Sequence, residues 1–112
     1  MSKLILALSL ILMVPSIVVA DILKFSWEPN IEPALAGYKI YCGASTLVYT
    51  EVYDVFSPDL VAGRVQAEID IARGNWFCAA TAYDTYGEES DFSNEAESRT
   101  IGKPTDFKKE KK

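Results

Sequence analysis

The nineteen residues from Trp76 to Asn94 constrain the fold most strongly, because they have the pattern of two strands joined by a turn. Alternate positions of the first half are apolar and decrease in size, in the order Trp76, Cys78, Ala80, Ala82. A period of two is typical of a strand with one buried face. Asp, Gly and Ser concentrate between Asp84 and Ser90, and the alternation resumes at Phe92. The stretch predicts a β-hairpin within a mostly β domain.

Other parts of the chain alternate in the same way. The predicted strands are Ile22 to Trp27, Gly37 to Gly43, Val65 to Ile71 and a closing strand from Phe92 to Ile101. The register of Val65 to Ile71 is the best specified, because a slip of one residue would bury Glu68 and Asp70. Leu47 to Val55 predicts only a poorly determined edge strand, since neither of its alternate sets is polar, and Phe56 to Gly63 predicts a loop.

The first twenty residues have the pattern of a secretory signal peptide. Lys3 gives a positive start, Leu4 to Val14 is almost entirely apolar, and Val18 to Ala20 is a small-residue exit. We predict cleavage after Ala20 and a secreted or periplasmic location. The alternative is an uncleaved anchor that leaves the protein on a membrane, although seventeen residues interrupted by Pro15 are short for that role.

Charge is distributed unevenly over the rest of the chain. Without residues 1–20 the sequence carries 10 basic and 16 acidic residues, a net charge of −6. Asp21 to Gly102 holds 14 acids and 5 bases, whereas Lys103 to Lys112 holds 5 lysines and 2 acids. The acidic body argues against a nucleic-acid partner. The basic tail is expected to be a solvated, disordered terminus, with contact to an anionic surface as the alternative.

The sequence offers little chemistry for catalysis. It has no histidine, the usual general base and the commonest zinc ligand, and no glycine-rich phosphate loop. Glu88 and Glu89 are adjacent but lie in a turn without apolar surroundings, so they are interpreted as solvated acids. We therefore predict no enzymatic activity, no cofactor and no metal site. Calcium is the chemical alternative, since Asp84, Glu88, Glu89 and Asp91 lie within eight residues, although not at EF-hand spacing.

Four ordered blocks of the sequence resemble a fibronectin type III domain of the kind found in bacterial and phage extracellular proteins. The blocks are Phe25 to Pro29, Leu35 to Tyr41, Thr81 to Asp84 and Glu89 to Glu95. The resemblance extends from Leu23 to Ile101. It implies an all-β, immunoglobulin-like Greek-key β-sandwich of seven strands for residues 21–102, with a binding or spacer role and no catalysis.

Two features depart from the family's pattern. Ile22 to Trp27 corresponds to the family's strand B, so the predicted cleavage leaves almost no chain for a strand A, and one sheet edge would lack its partner. The family also has a tyrosine at the corner before strand F, where this chain has Trp76. An indole donates only through its nitrogen, so the corner is expected to be built differently.

The resemblance also implies a disulfide. Cys42 and Cys78 lie on the inward sets of segments that correspond to the family's antiparallel strands C and F, so the two side chains are expected to meet across the pair. An oxidising compartment would favour the bond. The alternative is two buried free thiols at staggered heights.

In the resembled fold, the connection from Asp84 to Asp91 and the loop from Pro29 to Ala36 emerge at the same end. The predicted binding residues are Asp84, Tyr86, Glu88, Glu89 and Asp91. An aromatic anchor among acids favours a basic or hydroxyl-rich partner, either protein or carbohydrate. Two alternatives stay open: the acids only solvate the surface, or the chain is a structural envelope or virion component that forms a homo-oligomer or larger assembly through its unpaired edge.

Overall fold

The computed structural model describes residues 19–99 and 104–111, so the predicted signal peptide lies outside it except for its last two residues. Within those ranges the chain forms seven strands and no helix. The strands are β1 (Ala20–Trp27), β2 (Leu35–Gly43), β3 (Glu51–Phe56), β4 (Leu60–Val61), β5 (Arg64–Ala72), β6 (Trp76–Asp84) and β7 (Ala96–Ser98). The described residues include no helix that is long and apolar enough to cross a membrane.

The strands form two antiparallel sheets. One has the order β1-β5-β4 and the other the order β3-β2-β6-β7. β1 pairs with β5 without irregularity, from Ala20 opposite Ala72 to Trp27 opposite Val65. The prediction of an all-β domain with two sheets is confirmed.

The core lies between the sheets and is built by the alternation seen in the sequence. On β5, Val65, Ala67, Ile69 and Ile71 are buried, whereas Glu68 and Asp70 are exposed, as the register argument predicts. Leu23 of β1 and Ile40 of β2 meet this row from the neighbouring strand and from the opposite sheet. Burying a side chain of this size contributes about 1.5–3 kcal/mol, so the core decides which face of each strand turns inward.

The disulfide between Cys42 and Cys78 is present, and the prediction is confirmed. The two residues stand directly opposite each other in the β2–β6 register, with Cα atoms 4.2 Å apart. Both are buried and belong to the core cluster. The alternative of staggered free thiols is wrong, because β2 and β6 pair in the register that brings the two positions level.

The corner between β5 and β6 is closed by Trp76. Its indole nitrogen donates a hydrogen bond to the carbonyl oxygen of Ala72, 2.7 Å away and four residues upstream. The ring also packs against the core. The corner is therefore held by a hydrogen bond from the indole nitrogen and by packing of its ring.

The segment predicted as a loop, Phe56 to Gly63, contains strand β4. Ala62 and Gly63 have positive φ angles of 52° and 80°, which is the geometry of a two-residue type I′ hairpin turn. The turn pairs Leu60 with Val65 and Val61 with Arg64. The loop prediction is wrong here because alanine seldom adopts positive φ and so gives no turn signal.

Two predicted strands are shorter in the structure. β3 begins at Glu51 because the preceding residues fold back over β2, with the Thr50 N–H donating to the Cys42 carbonyl at 2.9 Å. β7 is limited to Ala96–Ser98 within the described part of the chain, and residues 100–103 lie outside it. Phe92, which the alternation assigns to the last strand, packs instead on the outer face of the four-stranded sheet against Tyr41 and Tyr49.

Candidate functional site

The two loops predicted to share one end of the domain do lie side by side. Leu35 is opposite Asp84 in the β2–β6 pair, and the Thr85 N–H donates to the Ala34 carbonyl at 2.9 Å. Between the loops is an open cleft of about 360 Å³. Its lining residues are Asn30, Glu32, Pro33, Ala34, Leu35, Ala82, Tyr83, Asp84, Glu88, Glu89 and Ser90. We call it the loop cleft.

Asp84 organises the longer loop. One of its carboxylate oxygens accepts hydrogen bonds from the backbone N–H groups of Tyr86, at 2.9 Å, and Glu88, at 2.8 Å. Gly87 has a φ of 87°, and its N–H donates to the Asp84 carbonyl, which closes the turn. An aspartate that accepts hydrogen bonds from the backbone N–H groups two and four residues later fixes the conformation of the loop locally. The side chain of Asp84 thus has an internal role.

Glu89 fastens the same loop to the outer face of the four-stranded sheet. The Tyr41 hydroxyl donates to its carboxylate, whose two oxygens lie 2.7 and 2.9 Å away. One carboxylate oxygen also lies 3.3 Å from the Lys39 amino group. The hydrogen bond to Glu89, with burial second, raises the pKa of Tyr41. Glu89 is therefore an exposed acid whose carboxylate has fixed partners, because β2 carries the donor and the cation to the place where the loop crosses it.

Tyr83 connects the loop cleft to strand β3. Its hydroxyl donates to an Asp54 carboxylate oxygen at 2.8 Å, and that hydrogen bond raises the pKa of Tyr83. The ring lies over Gly37, where an added Cβ would collide with it. The Lys39 amino group is 5.4 Å from the centre of the same ring, within the range of a cation–π interaction. One wall of the cleft is therefore held by contacts to two neighbouring strands.

The five predicted binding residues divide into two groups. Asp84 and Glu89 hold the loop in place through the bonds described above. Tyr86, Glu88 and Asp91 present their side chains to solvent, and Tyr86 is 83% exposed. The structure thus leaves one aromatic and two acids available at the surface of this loop.

An aromatic cluster on the same sheet face was not predicted from the sequence. The rings of Tyr41 and Tyr49 each lie 5.0 Å from that of Phe92 in edge-to-face contacts. Such pairs add about 0.5–1.5 kcal/mol each beyond the area that they bury. The cluster holds the segment before β3 against the segment before β7.

Glu95 completes this attachment. Its carboxylate accepts hydrogen bonds from the Thr46 hydroxyl, from the Leu47 N–H at 2.8 Å and from the Tyr49 hydroxyl at 2.8 Å. The bond from Thr46, followed by that from Leu47, lowers the pKa of Glu95. Burial, with the Glu95 bond second, raises the pKa of Tyr49 to about 12. No local signal in the sequence marks this site, because its partners are 46 to 49 residues away.

Among residues 19–99 and 104–111, no group of three or more His, Cys, Asp or Glu side chains is placed to hold a metal ion. The carboxylates that are fixed in position, such as Glu89 and Glu95, already accept hydrogen bonds from tyrosine hydroxyls. Comparisons of the chain with family models, with curated proteins and with solved structures find no match.

Proposed function

We propose that the chain is a non-catalytic recognition or adhesion module with a fibronectin type III-like Greek-key fold, exported through residues 1–20 to a secreted or periplasmic location. The strand orders β1-β5-β4 and β3-β2-β6-β7 support the fold, since strands B to G of an immunoglobulin-like sandwich have these neighbours. The disulfide supports export, because such bonds persist in oxidising compartments.

The observation that carries the binding role is Tyr86, displayed on a loop that the fold holds rigid. Asp84 and Glu89 fix the loop on both sides of Tyr86, so little conformational freedom is lost when a partner contacts its ring. Large aromatic side chains on preorganised loops are effective binding anchors.

Charge around the loop cleft defines the class of partner. Glu32 and Glu88 line the cleft, and Asp91 is exposed on the same loop. Carboxylates beside an aromatic ring attract cations and accept hydrogen bonds from hydroxyls. The partner is therefore a lysine- or arginine-rich protein segment or a carbohydrate, and the rate of association with a basic segment falls as salt is added.

The test uses arrays of glycans and of lysine-rich peptides, followed by calorimetry on whatever the protein binds. The double variant Tyr86→Ala/Glu88→Lys is expected to weaken binding at least about tenfold, the loss typical of an aromatic anchor. The matched control is Phe107→Ala/Glu110→Lys, which makes the same kinds of change in the tail, where Phe107 is also exposed. Equal binding by both variants, or binding to neither class of probe, contradicts the proposal.

A second candidate function is that of a structural component that assembles through a sheet edge. It is favoured by strand β1, whose eight residues lie at the edge of the three-stranded sheet. This function needs no ligand at the loop cleft.

A further inference from the structure

Acidic residues are concentrated at the loop cleft and lysines in the chain that follows β7. Of the eleven described residues that line the cleft, four are acids and none is lysine or arginine. Lys103 to Lys112 carries five lysines and two acids, a net charge of +3. We call its described part, residues 104–111, the basic segment. The cleft and the basic segment are complementary in charge.

Two of the four cleft acids are free to take a cation. Asp84 and Glu89 accept hydrogen bonds from the loop backbone and from the outer sheet face, as described above. Glu32 and Glu88 are exposed, and neither takes part in an ion pair within the described part of the chain. A cationic side chain in the cleft would meet these two carboxylates.

Lys39 shows how the fold holds a lysine beside this cleft. Its amino group lies 3.3 Å from a Glu89 carboxylate oxygen and 5.4 Å from the centre of the Tyr83 ring. Both partners line the cleft. A carboxylate together with a tyrosine ring is a favourable environment for an ammonium group. Glu88 and Tyr86, both exposed on the longer loop, offer the same two kinds of group to an incoming lysine.

The basic segment is accessible in the structure. All of its residues are exposed, and the ion pair between Lys108 and Asp106, at 3.9 Å, is internal to the segment. Lys109 and Lys111 take part in no ion pair with the residues that the structure describes. The structure thus shows an open arrangement, in which the segment and the loop cleft both face solvent.

We propose that the basic segment folds back into the loop cleft of its own chain and sets its lysines beside Glu32 and Glu88. The segment then competes with external cationic partners, so it regulates the site. The inference rests on the proposed function, because it requires that the cleft takes cations. The open arrangement is the one that binds an external partner, and the closed arrangement excludes it.

The distance between the two regions allows this contact. β7 ends at Ser98, opposite Trp76 at one end of β6, and the cleft lies at the other end, beside Asp84. About 26 Å of strand separates these two ends at the usual rise. The chain from Ser98 to Lys111 can extend to about 45 Å. β7 runs away from the cleft, so the chain must reverse its direction, and it already bends at Asp106, where φ is 56°.

Attachment to the same chain favours this occupant over the segment of a second copy. A short flexible linker holds a segment at an effective concentration on the order of a millimolar. The segment of a second copy reaches that concentration only when the protein itself does. Attraction between exposed charges weakens as salt is added, so the closed arrangement is expected at low ionic strength and is lost at high ionic strength.

Carbodiimide cross-linking tests the contact directly, because it joins a lysine amino group to a carboxylate that touches it. An equal mixture of unlabelled protein and protein labelled with a heavy nitrogen isotope distinguishes links within one chain from links between two chains. At low salt, mass spectrometry is expected to find lysines of the basic segment joined to Glu32 or Glu88 of the same chain. The yield should fall several-fold in about 1 M salt, where charges are screened beyond about 3 Å.

Neutralising the segment tests its effect on the cleft. The variant is Lys108→Gln/Lys109→Gln/Lys111→Gln, and the matched control Lys24→Gln/Arg64→Gln/Arg73→Gln removes the same charge from exposed positions of the domain. The probe is a decalysine peptide, with binding measured by calorimetry at low salt. A segment that covers the cleft half of the time lowers the apparent affinity about twofold, so the variant is expected to bind the peptide at least about twofold more tightly than the control.

The possible outcomes separate this inference from the proposed function. Absence of the cross-links, links that join only different chains, or links mainly to acids outside the cleft, such as Glu68 and Asp70, overturn the inference. So does an equal affinity of the two triple variants for decalysine. Failure of this inference alone leaves decalysine binding sensitive to Tyr86→Ala/Glu88→Lys, whereas failure of the proposed function removes that sensitivity.

Discussion

Removing the Cys42–Cys78 cross-link is expected to cost the domain a large part of its stability. The bond joins positions 36 residues apart. Restricting the unfolded chain by a loop of this length contributes about 4 kcal/mol on the chain-entropy estimate. Domains of this size are stable by only about 5–15 kcal/mol in total. The bond therefore accounts for a quarter or more of the free energy of unfolding.

Urea unfolding followed by tryptophan fluorescence measures this contribution, since Trp27 and Trp76 both pack against the core. The oxidised protein is compared with the same protein in reductant, which opens the cross-link without removing atoms from the core. The variant Cys42→Ala/Cys78→Ala adds the cost of a small cavity, so it is expected to be less stable than the reduced protein. A loss below about 1 kcal/mol on reduction would refute the argument that the bond acts by restricting the unfolded chain.

Three further predictions concern the turns and the outer face. Gly43→Ala is expected to destabilise the domain by about 1–3 kcal/mol in urea unfolding, because the added Cβ would overlap the Val48 carbonyl oxygen; a neutral result would show that the segment before β3 moves aside freely. Ala62→Asn is expected to raise the free energy of unfolding by about 0.5–1 kcal/mol, since Asn-Gly suits the positive φ angles of this turn; unchanged or lower stability would contradict it. Glu95 has a lowered pKa in the folded protein, so its stabilising contribution is present above the ordinary glutamate range and is lost as pH falls through the lowered value. The stability difference between wild type and Glu95→Gln should therefore shrink on acidification, and a difference that stays constant down to the acid limit would count against the site.

Features that depend on burial could be predicted from the sequence. The alternation of Val65 to Ile71 fixes the strand and its inward face, because exchanging the faces would bury Glu68 and Asp70. The disulfide followed from two inward cysteines on strands that the family resemblance makes neighbours, and the register then brought them level. Apolar side chains that must be buried produce an alternating pattern that can be recognised in the sequence.

Features that depend on polar side chains meeting across the chain could not be predicted. Glu89 and Glu95 accept hydrogen bonds from hydroxyl groups 46 to 49 residues away. Nothing in the sequence around either glutamate indicates that it has such a partner. β4 was missed for a different reason. Its turn places Ala62 at a positive φ, a conformation that is usually adopted by glycine or asparagine.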